Sequence, residues 1–154
     1  MHKPEALEAL RAKVGEELAV LERITADARD EATNPESRPE NKYDTRALEA
    51  SYLAAGQGER LLEVRQLLAW LSVEPPPCRT GQPGALVEAA IDDTVRWLFL
   101  GPRGGPTVTV RGHELSLISI ASPLGRALQG LAEGDDAEVE RPRGSVSIEV
   151  LSLQ

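Results

Sequence analysis

The stretch Ile118-Ser119-Ile120-Ala121-Ser122-Pro123-Leu124-Gly125-Arg126-Ala127-Leu128-Gln129-Gly130 changes its period in the middle. Ile118 and Ile120 alternate with small or polar neighbours, as on a strand, whereas Ser122 to Leu128 has the punctuation of one short helix. Ser122 is a good N-cap. Pro123 suits the first helical position, where an N–H would have no partner anyway, and Gly130 suits the helix end. A helix set among strands predicts an α+β domain.

Working outward, the runs Ala85 to Ala90, Thr94 to Leu100, Thr107 to Val110, Leu115 to Ile120, Ala137 to Glu140 and Val146 to Leu153 have the period of two, or the short apolar blocks, of strands. They predict a small, mostly antiparallel sheet, with Gly101-Pro102-Arg103-Gly104-Gly105-Pro106 as a turn between two of its strands. Trp97 and Phe99 alternate on one strand and are expected in the core.

Upstream the period changes to that of helices. From Pro4 to about Arg29, Leu7, Leu10, Val14, Leu18, Leu21, Ile24 and Ala28 recur at steps of three and four, which lines one narrow face. A second stripe, Leu48, Tyr52, Ala55, Leu61, Leu62, Leu68 and Leu71, runs from about Tyr43 to Leu71. Between them, Thr33-Asn34-Pro35-Glu36-Ser37-Arg38-Pro39-Glu40-Asn41 has two prolines that stop the first helix. Each stripe needs a cover and the other supplies it, so the pair predicts an antiparallel coiled-coil hairpin with arms of roughly 40 Å at 1.5 Å per residue. Pro75-Pro76-Pro77 ends the second helix. The expected division is a hairpin over 1–75 with its tip at about 33–43, a proline-rich linker over 76–83, and an α+β domain over 84–154.

Whole-chain properties narrow the function. The chain has 154 residues, of which 41% are hydrophobic and only 3% aromatic, so its core must be built from Leu, Val, Ile and Ala. Its net charge of −8 opposes free binding to DNA, because the phosphate-neutralising term is missing. Cys78 is the only cysteine, which excludes an internal disulfide and a multi-cysteine metal site and fits a reducing compartment. No signal-peptide or membrane-span pattern is present, so a cytoplasmic location is expected. His2 and His113 have no second ligand at useful spacing, Cys78 has no paired base nearby in sequence, and Gly101 to Gly105 lacks the ending of a phosphate loop.

The segment Ile118 to Leu128, with Gly130, Leu131, Glu133-Gly134-Asp135, Glu138-Val139-Glu140 and Pro142 after it, closely resembles the C-terminal segment of the Gre transcript-cleavage factors of bacterial RNA polymerase. Glu16-Glu17-Leu18, Tyr52, Ala54, Ala55, Glu63 and Arg65 are similar to positions of that family's helical hairpin, in the same order. The resemblance implies an FKBP-like fold for the C-terminal domain and docking on the rim of the polymerase secondary channel through Ser122, Pro123, Leu124 and Arg126. It also implies a hairpin that enters the channel and presents acids to a Mg²⁺ held by polymerase, near the 3′ end of the nascent RNA. Carboxylates suit that task, since Mg²⁺ prefers hard oxygen ligands and activates a bound water. The protein itself would be a monomer without a cofactor or active site of its own.

At the tip this sequence departs from the family. Aligned on Tyr52, the family's Asp and Glu positions hold Thr45 and Leu48; matching Glu40-Asn41 instead puts Ser37 at the Asp position. The candidates for assisting polymerase are Glu36, Glu40 and Asp44, although these acids also suit a solvated loop or a non-catalytic contact, and Arg38 and Lys42 lie among them. Three functions follow: a factor that stimulates cleavage of backtracked transcripts, a regulator that occupies the channel without cleavage, and an FKBP-like peptide-binding or isomerase module. The third is opposed by the scarcity of aromatics in the C-terminal half.

Overall fold

The computed structural model describes residues 1–33, 46–92, 94–141 and 144–154. The chain runs α1 (Lys3–Thr33), α2 (Arg46–Ser72), β1 (Leu86–Ile91), β2 (Thr94–Gly101), β3 (Thr107–Val110), β4 (His113–Ser119), α3 (Pro123–Leu128), β5 (Asp136–Arg141) and β6 (Gly144–Leu153). The expected class, two N-terminal helices followed by an α+β domain, is what the chain forms. It divides into two compact units, one made of Met1–Lys13 with Leu71–Gln154 and the other of Val14–Trp70.

In the first unit the six strands form one sheet in the order β3-β4-β2-β1-β6-β5. All neighbours are antiparallel except β2 and β4, where Trp97 pairs with Leu115 and Phe99 with Leu117 in a parallel register. Alternation then sorts the side chains to two faces. One face is Ala85, Val87, Ala89, Ile91, Leu98, Leu100, Val139, Val146, Ile148 and Val150, and it packs with Leu124, Ala127 and Leu128 of α3 and with Ile118, Ile120, Leu131 and Cys78. The other holds Leu86, Trp97, Phe99, Leu115 and Leu117, all buried. Ala6, Leu7, Leu10 and Leu71 are buried in the same unit.

Polar ties hold the start of α1 within this unit. Lys3 Nζ donates to Pro76 O at 2.9 Å and to Cys78 Sγ at 3.5 Å, Arg11 Nε donates to Leu71 O at 2.5 Å, and Arg111 pairs with Glu5. Cys78 is buried, so its thiol is a packed group with Lys3 as its neighbour.

In the second unit, Val14, Val64 and Leu67 are buried between the helices, with Leu18, Leu21, Leu61 and Leu68 half-buried beside them. Two expectations need correction. Ile24 is 43% exposed and Leu62 is 56% exposed, whereas Thr25 is buried, with 8% of its surface exposed. The seam keeps the 3.5-residue period of a coiled coil, so it runs Val14, Leu18, Leu21, Thr25, Ala28 on α1 and Gln57, Leu61, Val64, Leu68 on α2. Residue polarity made Ile24 and Leu62 look like seam positions; helix geometry puts both outside it. The Thr25 hydroxyl is satisfied by donating to Leu21 O at 2.7 Å. Salt bridges flank the seam, Arg60 to Glu17 at 2.5 Å and Arg65 to Glu22 at 2.7 Å.

Candidate functional site

Of the residues singled out in the sequence, Ser122, Pro123, Leu124 and Arg126 fall together at the start of α3. Glu36, Glu40 and Asp44, and the expected tip at about 33–43 beyond Thr33, lie outside the described residues.

The local sequence fixes this start tightly. β4 ends at Ser119, whose carbonyl accepts both the Ser122 N–H at 3.0 Å and the Ser122 hydroxyl at 2.7 Å. Ser122 Oγ in turn accepts the Gly125 N–H at 3.0 Å, the side-chain cap that Ser before Pro predicts. Arg126 N donates to Ser122 O at 2.8 Å, closing the turn. On the strand side, Ala121 N donates to Ser119 Oγ at 3.2 Å.

Two glycines let backbone segments approach here. A Cβ on Gly125 would lie 2.1 Å from Ser119 O and 2.8 Å from Ile120 Cα. A Cβ on Gly81 would lie 1.8 Å from Leu128 O. The Gly81 backbone is pinned to the far end of α3 by Gly130 N to Gly81 O at 2.9 Å and Gly81 N to Leu131 O at 2.8 Å. The helix is thus clamped at both ends, by its cap and by the segment that precedes β1.

The exposed groups follow from that clamp. Leu128 is buried and Leu124 is half-buried against the core, while Ala121, Pro123 and Arg126 face solvent. The Arg126 guanidinium bends back to donate to Ala121 O at 2.6 Å, which ties the cation to the residue before the cap. The result is a rigid surface with one pyrrolidine, one guanidinium and the edge of a leucine. It offers binding chemistry: a planar donor fork for a carboxylate or carbonyl, beside an apolar step. Among the described residues no group of three or more His, Cys, Asp or Glu could hold a metal ion, and no helix is long and apolar enough to cross a membrane.

Sequence reasoning found the cap but missed Gly81. Its role depends on a segment about fifty residues away, and no local pattern marks it. The only sign was a glycine after the prolines, which read as linker.

Residues 110–154 match the family described as transcription elongation factor GreA/GreB, C-terminal. The chain is 36% identical over 69 residues to transcription elongation factor GreA of Ruegeria pomeroyi, covering 45% of this chain and 40% of that protein. It is 50% identical over 58 residues to GreA of Nitratidesulfovibrio vulgaris, covering 38% and 32%. The matched stretches thus span well under half the length of these relatives. Among solved structures, Thermus aquaticus Gfh1 is similar at 20% identity over 96% of this chain and 95% of that one, with a TM-score of 0.39. The GreA/GreB factor of Nitrosomonas europaea is similar at 27% identity over 65% of this chain and 91% of that one, with a TM-score of 0.35.

Proposed function

We propose that this chain, whose residues 110–154 match the GreA/GreB C-terminal family, is a transcription elongation factor that docks on RNA polymerase through the start of α3. The observation that supports this reading most is the coincidence of two things: the family match spans Ser122 to Arg126, and those residues form a clamped, outward-facing surface of Pro123 and Arg126. A surface held this rigidly loses little freedom on binding.

In this reading the protein is a regulator without an active site of its own, working in the cytoplasm on core polymerase. Its acids at the tip, Glu36, Glu40 and Asp44, approach the Mg²⁺ and RNA 3′ end held by polymerase, where carboxylates orient water or add a ligand. The sequence at the tip favours a second reading beside it. Thr45 and Leu48 stand where the family's acidic pair is expected, so the factor occupies the channel and alters elongation without promoting cleavage.

Co-purification with core polymerase tests the docking, and a backtracked complex separates the two readings. Docking requires that the full chain is retained by core polymerase; passage through without retention refutes it. Shortened RNA on addition of protein, lost in the triple variant Glu36→Ala, Glu40→Ala, Asp44→Ala, supports cleavage. Altered pausing with full-length RNA supports channel occupation.

A further inference from the structure

The second unit carries a feature that neither docking nor cleavage uses. Two salt bridges between its helices, Glu17 with Arg60 and Glu22 with Arg65, fix their register. In an antiparallel pair these bonds cross, each reaching roughly 7 Å along the axis at 1.5 Å per residue, so Glu17 lies level with Arg65 and Glu22 with Arg60. Three residues further toward the end of α1, Thr25 lies level with Gln57.

That layer is polar on both helices, whereas the layers before it hold Val14, Leu18, Leu21, Leu61, Val64 and Leu67. Gln57 Oε1 is buried and has no hydrogen-bond partner. Thr25 cannot supply the missing proton, because its hydroxyl already donates to Leu21 O at 2.7 Å. Gly56 and Gly58 flank Gln57, and nothing lies within 4 Å of where a Cβ would be at either position. The glycines therefore relieve no clash, and their effect is to weaken the helix where the seam is also weakest. An unpaired buried oxygen and two uncrowded helical glycines at one level are concentrated cost with no packing return.

We infer that the Thr25/Gln57 layer is a built-in joint, at which the helical pair opens or bends locally while the layers from Val14 to Leu21 and from Leu61 to Leu67 stay closed. Opening lets water reach Gln57 Oε1, which supplies the hydrogen bond the closed layer lacks and so favours the open state. This inference is independent of what the chain binds.

Hydrogen exchange of the full chain, read by mass spectrometry, tests it. Amides of residues 23–30 and 56–60 should exchange at least about tenfold faster than those of 14–21 and 61–69, since local opening needs only a small part of the global free energy. Gln57→Leu with Thr25→Val makes the layer apolar and should slow exchange on both helices at this level by about tenfold or more, although only one residue changes on each. Gly15→Ala is the control. It raises helix propensity away from the layer, by more than the apolar pair does, and should leave residues 23–30 and 56–60 unchanged. Protection of the layer equal to that of residues 14–21 and 61–69 in the natural sequence overturns the joint. So does an apolar layer that leaves exchange unaltered, or a Gly15→Ala variant that slows residues 23–30 and 56–60 as much as the apolar layer does.

Discussion

The side chain of Gln154 clasps the first turn of α1 at Lys3: Oε1 accepts the Lys3 backbone N–H at 3.2 Å, while Nε2 donates to Met1 O at 3.0 Å. The first N–H groups of a helix have no partner within it. Here a residue 151 positions away in sequence supplies one, as a cap from another element. The Gln154 backbone is itself locked to β1 by paired bonds with Leu86, at 3.0 and 2.9 Å.

Gln154→Ala should therefore destabilise the first unit by about 1 kcal/mol, the usual cost of losing a cap. Thermal or denaturant unfolding of the purified chain checks this. Gln154→Glu should be far milder, because a carboxylate at a helix N-terminus keeps the acceptor and suits the dipole.

The close approaches at α3 give the steepest prediction. Gly81→Ala places a methyl group inside contact distance of Leu128 O, and Gly125→Ala does the same against Ser119 O. Each should cost about 1–3 kcal/mol or more, since backbone on both sides must move. Gly15→Ala has open space around it and should stabilise by up to about 1 kcal/mol. Urea midpoints for the three variants would show the opposite signs.

Ser122→Ala removes the acceptor for Gly125 N–H and the donor to Ser119 O at once. A loss of about 1 kcal/mol is expected, with the change confined to α3 and the strand before it. Backbone amide shifts of residues 119–128 would report it.

The salt bridges on the helical pair should contribute little. Arg60 is held above the ordinary arginine range first by its hydrogen bond to Glu17, against some desolvation, with added attraction from Glu17 and Glu63. A base whose folded pKa is raised stabilises below its unfolded pKa and loses that contribution only as pH rises through the folded value. Arg60 therefore imposes no pH dependence between about pH 5 and 9. Both partners are substantially exposed, at 50% and 35%. A double-mutant cycle on Glu17 and Arg60 should give under about 1 kcal/mol, falling with salt.

Most of the fold was legible because it is written in local periods. The strand runs, the Ser-Pro cap and the proline stop after α2 each act within a few residues, and the structure places strands, α3 and the end of α2 where they point. The seam was legible as a stripe but not residue by residue. Ile24 and Thr25 compete for one position, hydrophobicity favours the first, and the coiled-coil period selects the second. Long-range pairings left no local trace: the parallel contact of β2 with β4, Gly81 under α3, Lys3 at Cys78, and Gln154 at Lys3. For the site, the sequence named Ser122, Pro123, Leu124 and Arg126, and packing then sorted them, turning Pro123 and Arg126 outward and Leu124 partly inward.

Direct binding of purified core RNA polymerase to the natural chain and to Pro123→Asp/Arg126→Glu tests the account at its centre. Both residues are exposed, so the variant should keep the unfolding midpoint of the natural chain. It should also lose affinity by about tenfold or more, as expected when a contact cation is reversed beside a lost apolar step. An equally stable variant that binds polymerase as tightly as the natural chain would contradict docking through the start of α3.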